Sequence, residues 1–403
     1  MTDVAQPTTA KRLRSRVEER LGRANQGPVA TWFWELDRVL LLLIMLLMAI
    51  GLVAVAAASP ASATRYSDSF HQVPAMTYFW RQLIWVGLSI PVMLVVSMLP
   101  TAAARRLALI GAAFFLLMLL LVPFAGVTVN GARRWLGVGI AQFQPSEFLK
   151  PLFIVSTAWL LSLRARDPGL PMLWVTGALT GVVAVLLMLQ PDFGQTIIFL
   201  SVWVLLLVIS GVSPRMIAGL AAAGVGVVVA AYTFYPTARL RIDGFLFPDS
   251  EGSPDTYQTD MAHATITSGG ITGTGPGGGT VKFRLPEAHT DYIYSVVGEE
   301  FGLVACAIIA ALFLAIVVRV FVKLLDEEDA FRLLAASGLA AQFGVQATIN
   351  MGVNTGLLPS KGMTLPFISY GGSSMIALSI GTGLLLAFTR RNPYLTRSPY
   401  IVR

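Results

Sequence analysis

The chain has 403 residues, of which 55% are apolar and only 13% are Asp, Glu, Lys or Arg, and its mean hydropathy is +0.70. A soluble domain carries about 25% charged residues, so a water-soluble globule is excluded, and so is disorder, which needs low hydrophobicity and high charge. The single cysteine, Cys306, excludes an intrachain disulfide framework and any multi-cysteine metal site. The net charge of +7 must therefore be understood by its location.

A helix needs roughly 20 mostly apolar residues to cross about 30 Å of hydrocarbon. Ten stretches qualify, at 39–59, 79–99, 107–124, 145–163, 173–189, 195–211, 217–235, 297–322, 332–357 and 373–389. The expected fold is an all-α polytopic membrane protein of about ten transmembrane helices. A basic N-tail at 1–38 precedes the membrane domain at 39–389, and a short C-tail at 390–403 follows it. The first apolar run begins after a basic-rich segment and is too long for the core of a cleavable signal, so it is expected to anchor the chain. Trp32, Phe33 and Trp34 suit an interfacial aromatic belt just before it.

With the N-terminus placed in the cytoplasm, 19 of the 29 Lys and Arg fall on the cytoplasmic side. An even number of spans returns the basic C-tail to that side, so parity and charge agree. The N-tail cations at 11–23 set topology and touch anionic lipid, or serve a partner. No internal repeat supports an inverted-repeat transporter.

Polar groups at membrane depth are expensive and invite a functional reading. In chain order the first cluster holds Arg133 and Arg134, against the positive-inside trend, then Glu147 and Lys150, three apart on one helix face. The plainer alternative for the second pair is an ion pair on a helix opened by Pro145. Next comes Gln190-Pro-Asp192-Phe-Gly194, where Asp192 can simply cap the following helix.

The long segment 236–300 is expected to be a large extracytoplasmic loop. Its glycine-rich run 268–280 lets backbone N–H groups approach an anion, and Lys282 and Arg284 add charge. A flexible linker would look the same. Pro286 can open a helix, placing Glu287, Asp291 and Ser295 four residues apart on one face. The last cluster runs from Pro359 through Lys361 to Ser369, Ser373 and Ser374, just ahead of the final span. Helix-start N–H groups there suit an anion, and a glycine turn with an N-cap is the simpler account. The basic residues, the carboxylates and this helix start would form one outer pocket. It suits a pyrophosphate on a lipid carrier, with a carboxylate to deprotonate a hydroxyl and cations to stabilise the leaving anion.

Five motifs together resemble the SEDS family, the shape, elongation, division and sporulation proteins. They are Gln144-Pro-Ser-Glu147, Gln190-Pro-Asp192, Pro286-Glu-Ala-His289-Thr-Asp291, Gly298-Glu-Glu-Phe-Gly302, and Lys361-Gly-Met-Thr-Leu-Pro-Phe-Ile-Ser369-Tyr-Gly-Gly-Ser373-Ser374. The Lys-Gly-Met-Thr-Leu-Pro form is similar to the division branch. The resemblance implies an inverting peptidoglycan glycosyltransferase that polymerises lipid II on the outer face of the cytoplasmic membrane, with Asp291 as general base. Beside it, the residue reading leaves Arg133, Arg134, Glu147, Lys150, Asp192, Lys282, His289, Lys361, Ser369 and Ser373 as weaker substrate-binding candidates. A cognate single-pass class B penicillin-binding protein and other divisome proteins are the implied partners at the septum, beside membrane lipid, with no nucleic acid. No resident cofactor is assigned, and Asp and Glu of the outer loop could hold a divalent cation such as Mg²⁺ or Mn²⁺ with the substrate phosphates. A lipid II flippase and a non-catalytic divisome scaffold stay open as alternatives. Ser360, Tyr292 and Tyr294 depart from the family pattern, as does the triple glycine 277–279.

Overall fold

A computed structural model of the chain describes residues 28–67, 72–129, 132–137, 142–167, 169–234, 239, 242–243, 254–359 and 362–390. Lys361, His71 and the cations of the N-tail at 11–23 lie outside them. The chain divides into a helical body, Val39–Thr389, and a second unit made of Met1–Arg38 with Arg390–Arg403. In the second unit the short helix α1 spans Pro28–Glu35. There the Arg38 guanidinium lies 4.7 and 4.8 Å from the ring centres of Phe33 and Trp34.

Each of the ten apolar stretches coincides with a helix for most of its length. These are α2 (Arg38–Arg65), α3 (Thr77–Ser97), α4 (Thr101–Ala125), α5 (Pro145–Arg166), α6 (Met172–Leu189), α7 (Phe193–Ile209) and α8 (Pro214–Phe234). After α9 (Pro254–Ser268) come α10 (Ile293–Leu324), α11 (Ala330–Asn354) and α12 (Gly372–Phe388). Seven of them, α2 to α6, α8 and α10, are long and apolar enough to cross a membrane by themselves. Helices α7 and α12 are apolar but have 17 residues. Large apolar side chains such as Leu42, Ile84, Ile110, Trp174 and Val185 face outward, as a lipid-facing surface requires.

Helix α11 is the hub, packing on α5, α7, α10 and α12, while α3 packs chiefly on α12 and α4 on α5. Helix ends are set by local chemistry. Pro145 opens α5, where a missing N–H costs nothing. Asp329 caps α11 by accepting from Phe331 N and Arg332 N at 2.9 and 3.2 Å, which satisfies two of the N–H groups left open at the helix start. Pro123 inside α4 supplies no N–H to Leu119 O, and the Gln190 side chain donates to that carbonyl instead, at 3.2 Å.

Between α4 and α5 a small hairpin pairs β1 (Val127–Val129) with β2 (Ala132–Trp135) in antiparallel register. The segment 236–300 is partly helical. Beyond α9 its glycine-rich run closes against a break in α10, where Gly302 stands at φ 77°, ψ −179°. That conformation is essentially restricted to glycine, and a Cβ there would run into Ile271 O and Gly273 N. The carbonyls freed by the break accept from the loop: Thr274 N to Glu299 O at 2.9 Å and Gly275 N to Glu300 O at 3.0 Å. Leu303 N donates in turn to Gly270 O at 3.0 Å. The run expected to cradle an anion is therefore engaged with the chain's own backbone.

Candidate active site

Because successive helices alternate in direction, the α2 end, the α3 start, the hairpin, the α5 start, the α6–α7 turn, the α10 start, the α11 end and the α12 start gather at one end of the body. Asp291 lies here, on turn 286–292 just before α10. Pro286 does not open a helix, contrary to the sequence expectation, and Glu287 and Asp291 stay off α10. Glu287 takes φ 50°, and the next carbonyls turn away from the helical direction. His289 O accepts from Tyr370 N at 2.9 Å, and Thr290 O from Ser369 Oγ at 2.6 Å. Asp291 O accepts from Asn350 Nδ2 at 2.8 Å and Asn354 Nδ2 at 3.0 Å. Underneath, Leu285, Ala288 and Tyr292 are buried against Ala58, Ala262, Val296 and Val353. Three consecutive carbonyls and an apolar seat thus hold the turn in place.

The side chain of Asp291 is half-buried. A Cβ on Gly362 would stand 3.2 Å from its Oδ2, so glycine lets that backbone come close. Burial raises the Asp291 carboxyl to about 7, helped by the charges of Glu287, Asp192 and Glu147 and opposed by Arg134. Glu287 itself accepts from Tyr66 OH and from Thr290 Oγ1, both at 2.8 Å. His289 is 4% exposed and pairs with Ser62 Oγ at 2.8 Å. The rings of Tyr78, Tyr370 and Tyr66 stand 4.2, 5.3 and 6.0 Å from its own. Burial lowers its pKa to about 4, so it is a neutral wall of the site and supplies no cation.

A second polar group adjoins. Asp192 caps α7, accepting from Gln195 N at 3.3 Å, and also accepts from Gln144 Nε2 at 3.0 Å. Burial raises its pKa, with Arg134 opposing. Arg134 donates to Gln190 O at 3.1 Å and Pro191 O at 2.6 Å. This uses two of its five N–H groups, and its charge acts on both Asp192 and Asp291. Arg133 is exposed and donates to Pro123 O at 2.9 Å. Glu147 and Lys150 form the ion pair expected on α5, 3.0 Å apart. Gln195 Nε2 donates to Glu147, and Lys150 donates to Gln346 Oε1 at 3.1 Å.

Several expected ligands take internal partners instead. The Lys150 ammonium is 1% exposed and held by Glu147 and Gln346. Lys282, 2% exposed, donates to Ala57 O and pairs with Glu300. A buried ammonium without a partner would be too costly, so each lysine carries its own counter-charge. The Glu299 carboxylate accepts from Thr280, Val281 and Lys282 N at 2.8, 2.7 and 3.0 Å. The anion at the end of the glycine run is the protein's own. Ser369 Oγ, bonded to Thr290 O and Leu365 N, holds the Asp291 turn. Ser373 lies half-buried in the first turn of α12.

Sequence reasoning missed the amides of α11. Gln342, Gln346, Asn350 and Asn354 are all buried, and their spacing of four residues inside the span 332–357 was a readable polar stripe. Gln346 Nε2 donates to Thr364 O at 3.0 Å and Asn350 Nδ2 to Met363 O at 2.6 Å. The stripe therefore joins the Glu147–Lys150 pair, the segment after Gly362 and the Asp291 turn.

These features define a polytopic helical membrane protein with an ionisable cluster collected at one end of its bundle. The chain belongs to the FtsW/RodA/SpoVE family: residues 37–394 match the family model, described as cell cycle protein. It is 36% identical over 378 residues to the probable peptidoglycan glycosyltransferase FtsW of Caulobacter vibrioides, covering 92% of this chain and 93% of that one. The protein of the same name from Geobacter sulfurreducens is 35% identical over 366 residues, 88% of this chain and 95% of that one. Among solved structures, a chain from a peptidoglycan synthase complex that coordinates polymerization and crosslinking superposes with TM-score 0.71 at 30% identity. That match covers 88% of this chain and 97% of that one. The rod shape determining protein RodA of Thermus thermophilus superposes with TM-score 0.63 at 27% identity, over 88% of this chain and 96% of that one. Family and helices together make this a multi-pass inner-membrane protein.

Proposed function

We propose that the chain is a peptidoglycan glycosyltransferase of cell division that polymerises lipid II at the outer face of the cytoplasmic membrane. Asp291 acts as general base on the acceptor 4-hydroxyl, which attacks C1 of the donor sugar with inversion. The bond to the polyprenyl pyrophosphate breaks, and that anion leaves. The observation that carries this reading is the Asp291 carboxyl, raised to about 7 on a turn pinned at three carbonyls. A base whose pKa lies near the working pH combines enough free carboxylate with enough basicity. Arg134 is the best placed cation for the leaving group, with Arg133 and the helix start at Ser373 as outer contributors. Glu147, Lys150, Gln195 and Asp192 are proposed to shape the floor of the substrate site from inside.

A divalent cation such as Mg²⁺ or Mn²⁺ remains part of the proposal as company for the pyrophosphate. Among the described residues no group of three or more His, Cys, Asp or Glu gathers to hold an ion, so phosphate and water would supply most of its ligands. By likeness to the synthase complex, the chain is proposed to work beside a single-pass transpeptidase at the septum, with both termini in the cytoplasm. Purified Asp291→Asn protein is expected to insert and fold but to form no glycan from lipid II, and a full rate would overturn the assignment of the base. The buried amide stripe of α11 would also suit a lipid II flippase. Chain extension in detergent, where there is no second compartment, separates the two readings.

A further inference from the structure

A helix running through turn 286–292 would close a backbone bond from Ser295 N–H to Asp291 C=O, four residues earlier. The Asn354 side chain stands in the place of that bond. Its Nδ2 donates to Asp291 O at 3.0 Å, and its Oδ1 accepts from Ser295 N at 3.1 Å and Ser295 Oγ at 2.9 Å. One amide therefore bridges both halves of the interrupted helical bond, while Ser295 N also donates to Tyr292 O at 3.1 Å. Asn350, one turn earlier on α11, makes the second contact to the same carbonyl at 2.8 Å and donates to Met363 O at 2.6 Å. That carbonyl follows Gly362, whose backbone flanks the Asp291 carboxylate. Asn350 and Asn354 are 2% and 0% exposed, and Asn354 Nδ2 also donates to Asn350 O at 2.9 Å.

We infer that Asn350 and Asn354 are positioning residues for glycosyl transfer: they keep Asp291 off the end of α10 and hold the Gly362 segment against its carboxylate. The inference rests on the proposed role of Asp291 as base. Neither amide touches the carboxylate itself. Their action is through the peptide carbonyl, which fixes the direction in which the side chain leaves the backbone. Without them the carbonyl would recover its helical partner, α10 would grow by about a turn, and the carboxyl would swing with it. A misplacement of about 1 Å can lower a rate about 100-fold.

The test measures lipid II polymerisation by purified Asn354→Ala and Asn350→Ala proteins, as turnover against donor concentration and against pH, beside thermal melting and an Asp291→Asn control. Turnover is expected to fall at least about 10-fold, with KM for lipid II within about twofold. The acid limb of the pH profile is expected to move by half a unit or more, a change that loosened packing alone would not produce. Where an alanine variant fails to fold, Asn354→Ser carries the test. It is neutral and polar, adds no buried charge, is too short to bridge Asp291 O and Ser295 N together, and is expected to fold with the same loss of turnover. Wild-type turnover and an unmoved acid limb in folded variants, with Asp291→Asn inactive, overturn the positioning role alone. Full activity of Asp291→Asn overturns the base and the positioning role together.

Discussion

At the scale of single residues, the ionisation of Asp291 decides when the proposed base can act. A carboxyl raised to about 7 is mostly protonated below that pH and cannot accept the acceptor's proton. Turnover of lipid II should therefore fall about tenfold per unit below pH 7 and level off above it, as a pH–rate series at saturating substrate would show. The linked effect on stability has the opposite sign. The folded state holds this proton more tightly than the unfolded chain, so the contribution to stability is present at low pH and is lost as pH rises toward and past 7. Asp291→Asn should then melt at least as high as the parent protein at pH 8, and its advantage should shrink at pH 5, as melting of the detergent-solubilised protein can check. His289 adds no cation at either pH, since burial keeps it neutral down to about 4.

At the scale of elements, the break in α10 and the glycine run form one joint, and Lys282 shows what holds it. The turn at Val281–Phe283 is tied to α10 through Glu299, which takes three backbone N–H groups, and through the Lys282–Glu300 pair. Lys282→Met leaves Glu300 as a buried charge without its counter-ion and is expected to cost about 3–5 kcal/mol of stability. The double change Lys282→Met with Glu300→Leu should recover most of that loss, because removing both charges removes the desolvation penalty as well. Thermal melting of the two variants beside the parent protein decides the matter. A lysine that bound pyrophosphate would instead show a raised KM with an unchanged melting temperature.

At the scale of the whole molecule, the helices bring the groups together from eight different stretches of chain, and the charge of the flanks is expected to set which way the bundle faces. The expected topology, which puts 19 of the 29 Lys and Arg on one side, predicts that a fluorescent protein that matures only in the cytoplasm will fluoresce when fused to either terminus. A dark fusion at one end would require an odd number of spans and move the site to the other face. The most buried helices of the bundle are α5, α11 and α12, and the first two carry Glu147, Lys150 and the amide stripe. Outer helices such as α8 present apolar side chains all round. Polar groups in a lipid-facing position would have no partner, so they collect along the two central helices.

The amino-acid sequence by itself determined the class of fold and the helical stretches and singled out Asp291 as the proposed base, because hydrocarbon thickness selects apolar runs of one length and the motifs were dense enough to carry the family. It also contained the Glu147–Lys150 pair and the Asp192 cap, which are local in sequence. Partnerships across large separations were decided by tertiary structure alone. Lys282 and Glu300 meet over an 18-residue gap, Lys150 and Gln346 over 196 residues, and Asn354 and Asp291 over 63. A basic residue in an outer loop reads as a ligand for an anion until the fold supplies an internal carboxylate. The helical start that Pro286 favoured was lost for the same reason: local preference of the backbone yielded to two side-chain amides presented by a neighbouring helix.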